Sequence, residues 1–163
     1  AGELAPGAHL AMQAALQEFT GLPHRTQWVA EQAGVVWYND SKGTNVGATI
    51  AALQGMTRPV ILIAGGQGKG ADFTLLRPAV AAQARAVVLL GEDAPLLATA
   101  LQGVVPVVAV ADMVMAVAAA RKLAQPGDCV LLSPACASFD QFRGYEHRGQ
   151  VYTAAVQDLL GIS

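Results

Sequence analysis

Short, unbroken apolar runs at residues 60–64, 86–90, 107–110 and 129–132 have the length of strands. They are separated by stretches whose apolar positions repeat at helical spacing. Those stretches predict helices over residues 73–83, 94–101, 113–124 and 147–160. Nearer the start, residues 27–31 and 35–38 read as two short strands flanking a turn at Ala33-Gly34, and the pattern becomes helical from residue 44 to about 53. Strands that are continuously apolar rather than alternating, and interleaved with helices, predict a mostly parallel sheet covered on both faces. The expected fold is therefore α/β: a doubly wound, Rossmann-like sheet of about six strands. Ahead of it, residues 4–19 carry helix formers with Leu10, Ala14 and Phe19 at helical spacing, and Gly21 and Pro23 stop them. This reads as a short helix and a hinge. There is no internal repeat and no low-complexity tract.

Composition narrows the picture. A chain of 163 residues fits one domain around one core. Only 13% of the residues are charged and 53% are hydrophobic, against roughly 25% charged in an average soluble domain, so much of the surface is neutral or covered by a neighbour. The net charge is -2 and no stripe of Lys or Arg could track a phosphate backbone, which argues against nucleic acid. The most apolar stretch, residues 104–120, is broken by Pro106 and Asp112 and is too short to cross a bilayer comfortably. Cys129 and Cys136 make no zinc pattern, and no basic region precedes a secretory apolar core. A reducing cytoplasm and a monomer are expected. The chain opens at Ala1 without an initiator methionine and is expected to be part of something longer.

Ligands of open α/β sheets bind beyond the carboxyl ends of the strands, where loops and helix N-termini converge. Three loops of this chain belong at that edge. In Asn39-Asp40-Ser41-Lys42-Gly43-Thr44-Asn45, Thr44 or Ser41 can cap the next helix, while Asp40 and Lys42 add an acceptor and a cation that a simple cap does not require. Cap and binding loop stand level as readings. In Gly65-Gly66-Gln67-Gly68-Lys69-Gly70, four glycines let the backbone approach a ligand and Lys69 supplies a point charge for a carboxylate or phosphate. The Walker A spacing is absent, so this is a binding loop of another kind, or a flexible turn. Asp72 is expected to cap the following helix. The third loop, Ser133-Pro134-Ala135-Cys136-Ala137-Ser138 followed by Phe139-Asp140-Gln141-Phe142, offers two hydroxyls.

Cys136 reads as a packed structural thiol, because the histidines at 9, 24 and 147 have no context that marks a catalytic partner. Cys129, within a strand, reads as core. His24-Arg25 looks like exposed charge, and His147, with Glu146 and Arg148, like the solvated start of the last helix. Trp28 and Trp37 read as packing. No His/Cys/carboxylate group has metal-ligand spacing.

Together these loops, in this order, resemble the C-terminal domain of the Mur ligases, and within that family the branch that adds D-glutamate. The resemblance runs from about residue 19 to 160. It is carried by Phe19-Thr20-Gly21-Leu22-Pro23-His24-Arg25, the loop from 39 to 45, the glycine loop through Lys69-Gly70-Ala71-Asp72-Phe73, and the stretch from Leu131 through Phe142 to Glu146 and Arg148-Gly149. The Ser-Pro-Ala-Cys-Ala-Ser run followed by Asp-Gln-Phe is the most diagnostic. The resemblance implies an ATP-dependent ligase that joins D-glutamate to UDP-N-acetylmuramoyl-L-alanine in peptidoglycan synthesis.

The same resemblance implies that Arg25 lies near ATP, that Asp40 meets the ribose and that Lys42 faces the phosphates. Thr44, Lys69 and Ser138 would hold the carboxylates of D-glutamate, with backbone near Phe139 and Tyr145 completing the pocket. Gly43, Gln67, Phe139 and Tyr145 depart from the family's common Ala, Asp, Leu and Phe, which affects pocket shape rather than charge. Residues 1–22 would be the end of a central-domain helix and a hinge, with residues 1–5 either native or an appended remnant, and residues 23–163 the amino-acid-binding domain. The phosphate loop and Mg2+ ligands would belong to the central domain and the UDP-sugar site to an N-terminal one, so no catalytic residue and no tightly bound cofactor is expected in this chain, which would be inactive alone. A non-catalytic module for acidic ligands and a nucleotide-binding regulatory domain stay open as rivals.

Overall fold

A computed structural model of the chain describes residues 24–162. The helix expected over residues 4–19 and most of the expected hinge lie outside them. The elements run β1 (Gln27–Gln32), β2 (Val35–Asn39), α1 (Val46–Gln54), β3 (Val60–Ala64), a 3-10 turn (Phe73–Leu76), α2 (Arg77–Gln83), β4 (Ala84–Leu89), α3 (Ala94–Ala100), β5 (Val107–Ala109), α4 (Met113–Leu123), β6 (Cys129–Leu132) and α5 (Tyr145–Leu160).

The sheet has six strands in the order β1-β2-β6-β3-β4-β5. β1 is antiparallel to β2, and every other pairing is parallel. Both faces are covered, as the unbroken apolar strands require. On β3, Val60, Leu62 and Ala64 join the core beneath α1, α2 and α3, while Ile61 and Ile63 join the core beneath α4 and α5. All five are buried. At about 25 cal/mol per Å² of apolar surface removed from water, such a two-sided strand contributes strongly to the stability of the sheet.

Several expected boundaries move for identifiable reasons. The helix expected from residue 44 starts at Val46, because Asn45 rather than Thr44 or Ser41 caps it: the Asn45 side chain accepts from Ala48 N. The single helix expected over residues 73–83 begins as a 3-10 turn capped by Asp72, whose carboxylate accepts from Thr74 N. Pro78 then sits in the first turn of α2, where a missing N–H costs nothing. The last helix starts two residues earlier than expected, at Tyr145, and ends at Gly161 in the left-handed conformation.

Two of the glycines in the glycine loop serve close backbone packing. A Cβ on Gly65 (φ 131°) would lie 1.7 Å from the Leu90 carbonyl oxygen, and one on Gly66 (φ 135°) would lie 2.3 Å from the Ala137 carbonyl oxygen. These two glycines let strand ends and neighbouring loops approach each other, and Gly70 is the member of the loop with open space around it. Replacing Gly65 with alanine is expected to cost at least ~3 kcal/mol, from a forced backbone shift and an unfavourable φ. Urea unfolding followed by circular dichroism would read this as a lower midpoint, and an unchanged midpoint would refute the close packing at Leu90.

Candidate functional site

Strand order explains why the three polar loops meet. β6 lies between β2 and β3, so the loops that leave these strands are neighbours at one edge of the sheet. The chain leaves β2 and β3 towards the α1 and α2 face and leaves β6 towards α5 on the opposite face. That divergence opens a crevice at the strand ends, the usual ligand position in open α/β sheets. Because β1 runs antiparallel to β2, the residues preceding it, His24 to Thr26, arrive at the same edge.

Backbone hydrogen bonds join the loops. Ala135 N donates to Gly43 O at 2.9 Å and Gly65 N to Pro134 O at 3.0 Å, while Gln67 and Ala137 exchange a reciprocal pair at 2.9 Å each. Arg148 braces the arrangement from below. The residue is 2% exposed, and its guanidinium donates through Nε to Ser41 Oγ (2.9 Å), through Nη2 to Ser41 O (2.7 Å) and through Nη1 to Cys136 O (2.9 Å). Ser41 Oγ in turn donates to Tyr145 O at 2.6 Å. One side chain on α5 thus holds the first loop against the third. Burial pulls the Arg148 pKa down to about 10, partly countered by Cys136 and Asp140. This corrects the expectation that Arg148 sits on a solvated helix start.

Arg25, Asp40, Lys42, Thr44 and Tyr145 line one cleft of about 590 Å³, with Thr26, Gly43, Asn45 and the alanines of α1 forming the rest of its wall. Lys42 Nζ lies 5.4 Å from the centre of the Tyr145 ring, a cation–π contact that keeps the ammonium at the mouth. Asp40 is almost fully buried. Its Oδ1 accepts from Thr26 N (3.0 Å) and Thr26 Oγ1 (3.3 Å), and its Oδ2 accepts from Ser133 Oγ (2.7 Å). Burial raises the Asp40 pKa, and the bonds from Ser133 and Thr26 oppose that rise. A carboxylate oxygen has two acceptor positions, so Oδ2 keeps one for a further donor.

Lys69, Ser138 and Phe139 do not line this cleft. They lie along the same edge on the loops after β3 and β6. Lys69 is exposed, with a left-handed backbone (φ 52°) beside Gly70. Ser138 is buried, and its carbonyl accepts from Phe142 N at 2.9 Å. Phe139 is 66% exposed. Cys136 and Cys129 are buried, and burial pushes both thiols up to about 12, which suits packing and not nucleophilic attack. Among the described residues no three His, Cys, Asp or Glu side chains converge to hold a metal ion, and no helix is long and apolar enough to cross a membrane.

The fold is that of a doubly wound α/β domain with a polar crevice at the carboxyl ends of its strands, and sequence comparison narrows the class further. The family model described as "Mur ligase, glutamate ligase domain" matches residues 24–136, and the chain belongs to that family. It is 55% identical over 161 residues to the UDP-N-acetylmuramoylalanine–D-glutamate ligase of Nitrosococcus oceani, covering 98% of this chain and 36% of that protein. It is 59% identical over 147 residues to the same-named ligase of Aromatoleum aromaticum, covering 89% of this chain and 32% of the relative. The chain therefore spans about a third of the length of these curated relatives. In fold it is similar to a murein peptide ligase from Psychrobacter arcticus (TM-score 0.60, 15% identity, 91% of this chain and 32% of that one). It is also similar to a Mycobacterium tuberculosis folylpolyglutamate synthase complexed with ADP (TM-score 0.59, 13% identity, 82% and 32%).

Sequence reasoning missed Arg148, Asn39 and Thr26 as structural members of the site. For Arg148 a signal existed: it stands at helical spacing with the buried Tyr152, Ala155, Val156 and Leu160, on the core face of α5. Replacing Arg148 with Met or Lys is expected to cost about 3 kcal/mol, because each leaves buried oxygens of Ser41 and Cys136 without donors. Urea unfolding of the chain would measure it. A Lys variant as stable as the parent would show that the charge matters and the three-way fork does not.

Proposed function

We propose that this chain is the C-terminal domain of an ATP-dependent ligase that joins D-glutamate to UDP-N-acetylmuramoyl-L-alanine. Residues 23–163 would be the domain that binds the amino acid and part of the nucleotide. The observation that carries this reading is the crevice itself. Cations, hydroxyls and backbone amides from three loops converge at one sheet edge in a member of the glutamate ligase domain family. The rival readings, a stand-alone anion module and a nucleotide-sensing regulatory domain, gain no observation of their own from the fold.

In this reading ATP transfers its terminal phosphoryl group to the carboxylate of UDP-N-acetylmuramoyl-L-alanine. The D-glutamate amine attacks the acyl phosphate, an amide forms and phosphate leaves. Mg2+ and the phosphate-transfer machinery would belong to a central domain, and the nucleotide-sugar site to an N-terminal one. This domain does the positioning. Arg25 and Lys42 meet the nucleotide at the cleft, and Asp40 offers its remaining acceptor position to a ribose hydroxyl. Thr44, Lys69 and Ser138, with the backbone at Phe139 and Tyr145, hold the two carboxylates of D-glutamate.

The spacing suits a dicarboxylate. The ends of β2 and β3 are two strand spacings apart, about 10 Å along the sheet edge, so groups on the two loops can grip opposite ends of one small molecule. A cation plus several directed donors is what a doubly charged ligand requires. Closing this domain over its neighbour would bring the amine to near-attack distance and exclude water from the acyl phosphate.

In an enzyme of full relative length, Lys69→Ala is expected to raise the KM for D-glutamate on the order of 100-fold, the size of one lost charge-assisted contact. The KM for the UDP-sugar substrate should not change. D-glutamate kinetics equal to those of the parent would remove Lys69 from the site.

A further inference from the structure

The two residues that flank Arg25 are both held in strained backbone. His24 has φ 68° and Thr26 has φ 44°, a region that non-glycine residues, and β-branched ones above all, rarely enter. Such conformations persist only where the surroundings over-determine them, and they cluster at functional positions. The surroundings here are specific. Thr26 is held by two hydrogen bonds to the buried Asp40. His24 donates its N–H to Gln27 Oε1 (3.1 Å) and accepts through its carbonyl from Lys42 N (2.9 Å).

The His24 ring occupies a notch on α5 made by a missing side chain. A Cβ on Gly149 would lie 2.1 Å from His24 Nδ1. Asn39 Nδ2 donates to that Nδ1 at 2.9 Å. The amide is oriented that way because its Oδ1 already accepts from Ser41 N at 3.0 Å, so Nδ1 is unprotonated and the ring neutral. The Tyr145 ring meets the imidazole edge-on at 6.2 Å. Between the two anchors stands exposed Arg25, on the wall of the cleft.

We infer that His24, seated as a neutral imidazole in the Gly149 notch and bonded to Asn39, is a positioning residue that works with Thr26 to mount Arg25 in the cleft. The inference rests on the reading of that cleft as the nucleotide side of the site. Protonation dismantles the mount, because an Nδ1–H would face the Asn39 N–H. Burial lowers the His24 pKa below the usual 6.5, with Glu146 opposing. The charged and titratable groups around the ring are Glu146 and Tyr145 on α5, Lys42 and Asp40 on the first loop, and the adjoining Arg25. The sign follows: the mount is complete above the ordinary histidine pKa and is lost as the pH falls towards the lowered one.

The test uses an enzyme of full relative length. His24→Ala removes the anchor, Gly149→Ala fills the notch, and His24→Asn keeps an acceptor where Nδ1 was, tolerates positive φ and cannot titrate. At pH 8, H24A and G149A are expected to raise the KM for ATP about tenfold, the size of one lost hydrogen bond. The KM for D-glutamate should stay unchanged, and H24N should match the parent. Between pH 8 and 5.5 the KM for ATP should rise more steeply in the parent than in H24N, a comparison that cancels the ionisation of ATP itself.

Unchanged ATP kinetics in H24A and G149A, with Arg25→Ala impaired, would overturn the mount and leave the reading of the cleft intact. An Arg25→Ala enzyme with the parent's KM for ATP would overturn both. Equal losses for both substrates, without rescue in H24N, would mean a general packing role and would also overturn the proposal.

Discussion

A buried guanidinium has to be satisfied, and that requirement organises this domain. Arg148 is enclosed beneath the loops at the sheet edge, and among the described residues no carboxylate pairs with it. Its charge is met instead by Ser41 and Cys136, which come from the ends of two adjacent strands. Moving either loop alone would leave a cation or a carbonyl stranded in a low-dielectric interior, which costs more than any single surface contact returns. The first and third loops are therefore held as one body. The second is tied to the third by the reciprocal Gln67–Ala137 bonds and by glycines that admit close backbone approach. A site assembled from three separate loops gains the rigidity of an element without being one.

Rigidity below permits strain above. Thr26, His24, Lys69 and Ala135 all adopt positive φ, and all lie on the segments that converge at this edge. Ala135 turns the third loop so that its N–H reaches Gly43 O, and Lys69 is turned outward at the tip of the glycine loop. The charged groups proposed to meet ligand, Arg25, Lys42 and Lys69, are exposed at the ends of anchored backbone. Asp40 and Ser138, also proposed to meet ligand, are buried, and buried Ser41 supports the first loop through its bonds with Arg148 and Tyr145. Exposed and buried members of the site are thus divided between neighbouring residues of the same short segments, which is how preorganisation is achieved on loops.

What was legible in the sequence follows the same division. The strands could be read because a sheet buried on both faces leaves unbroken apolar runs, and the fold class followed. The three loops could be named because parallel strands put their carboxyl ends at one edge. Their adjacency could not, since the insertion of β6 between β2 and β3 is decided by long-range packing. Local polar competition was harder still: Asn45, Thr44 and Ser41 are all competent caps, and only the structure shows that Ser41 is committed to Arg148 and Tyr145. Arg148 itself was hidden by the habit of reading charge as surface, although its helical phase with Tyr152 and Val156 pointed inward. The glycines at 65 and 66 make room for the protein's own backbone, a long-range contact that the sequence does not show.

The central claim is that the braced loops act as one site for a dicarboxylate of one hand. The most direct measurement is an NMR titration of the chain with D-glutamate and, separately, with L-glutamate. The account predicts that amides at Thr44, Lys69 and Ser138 shift along one common saturation curve with the D enantiomer and stay still with the L. Equal shifts with both enantiomers, or separate curves for the three loops, would contradict it.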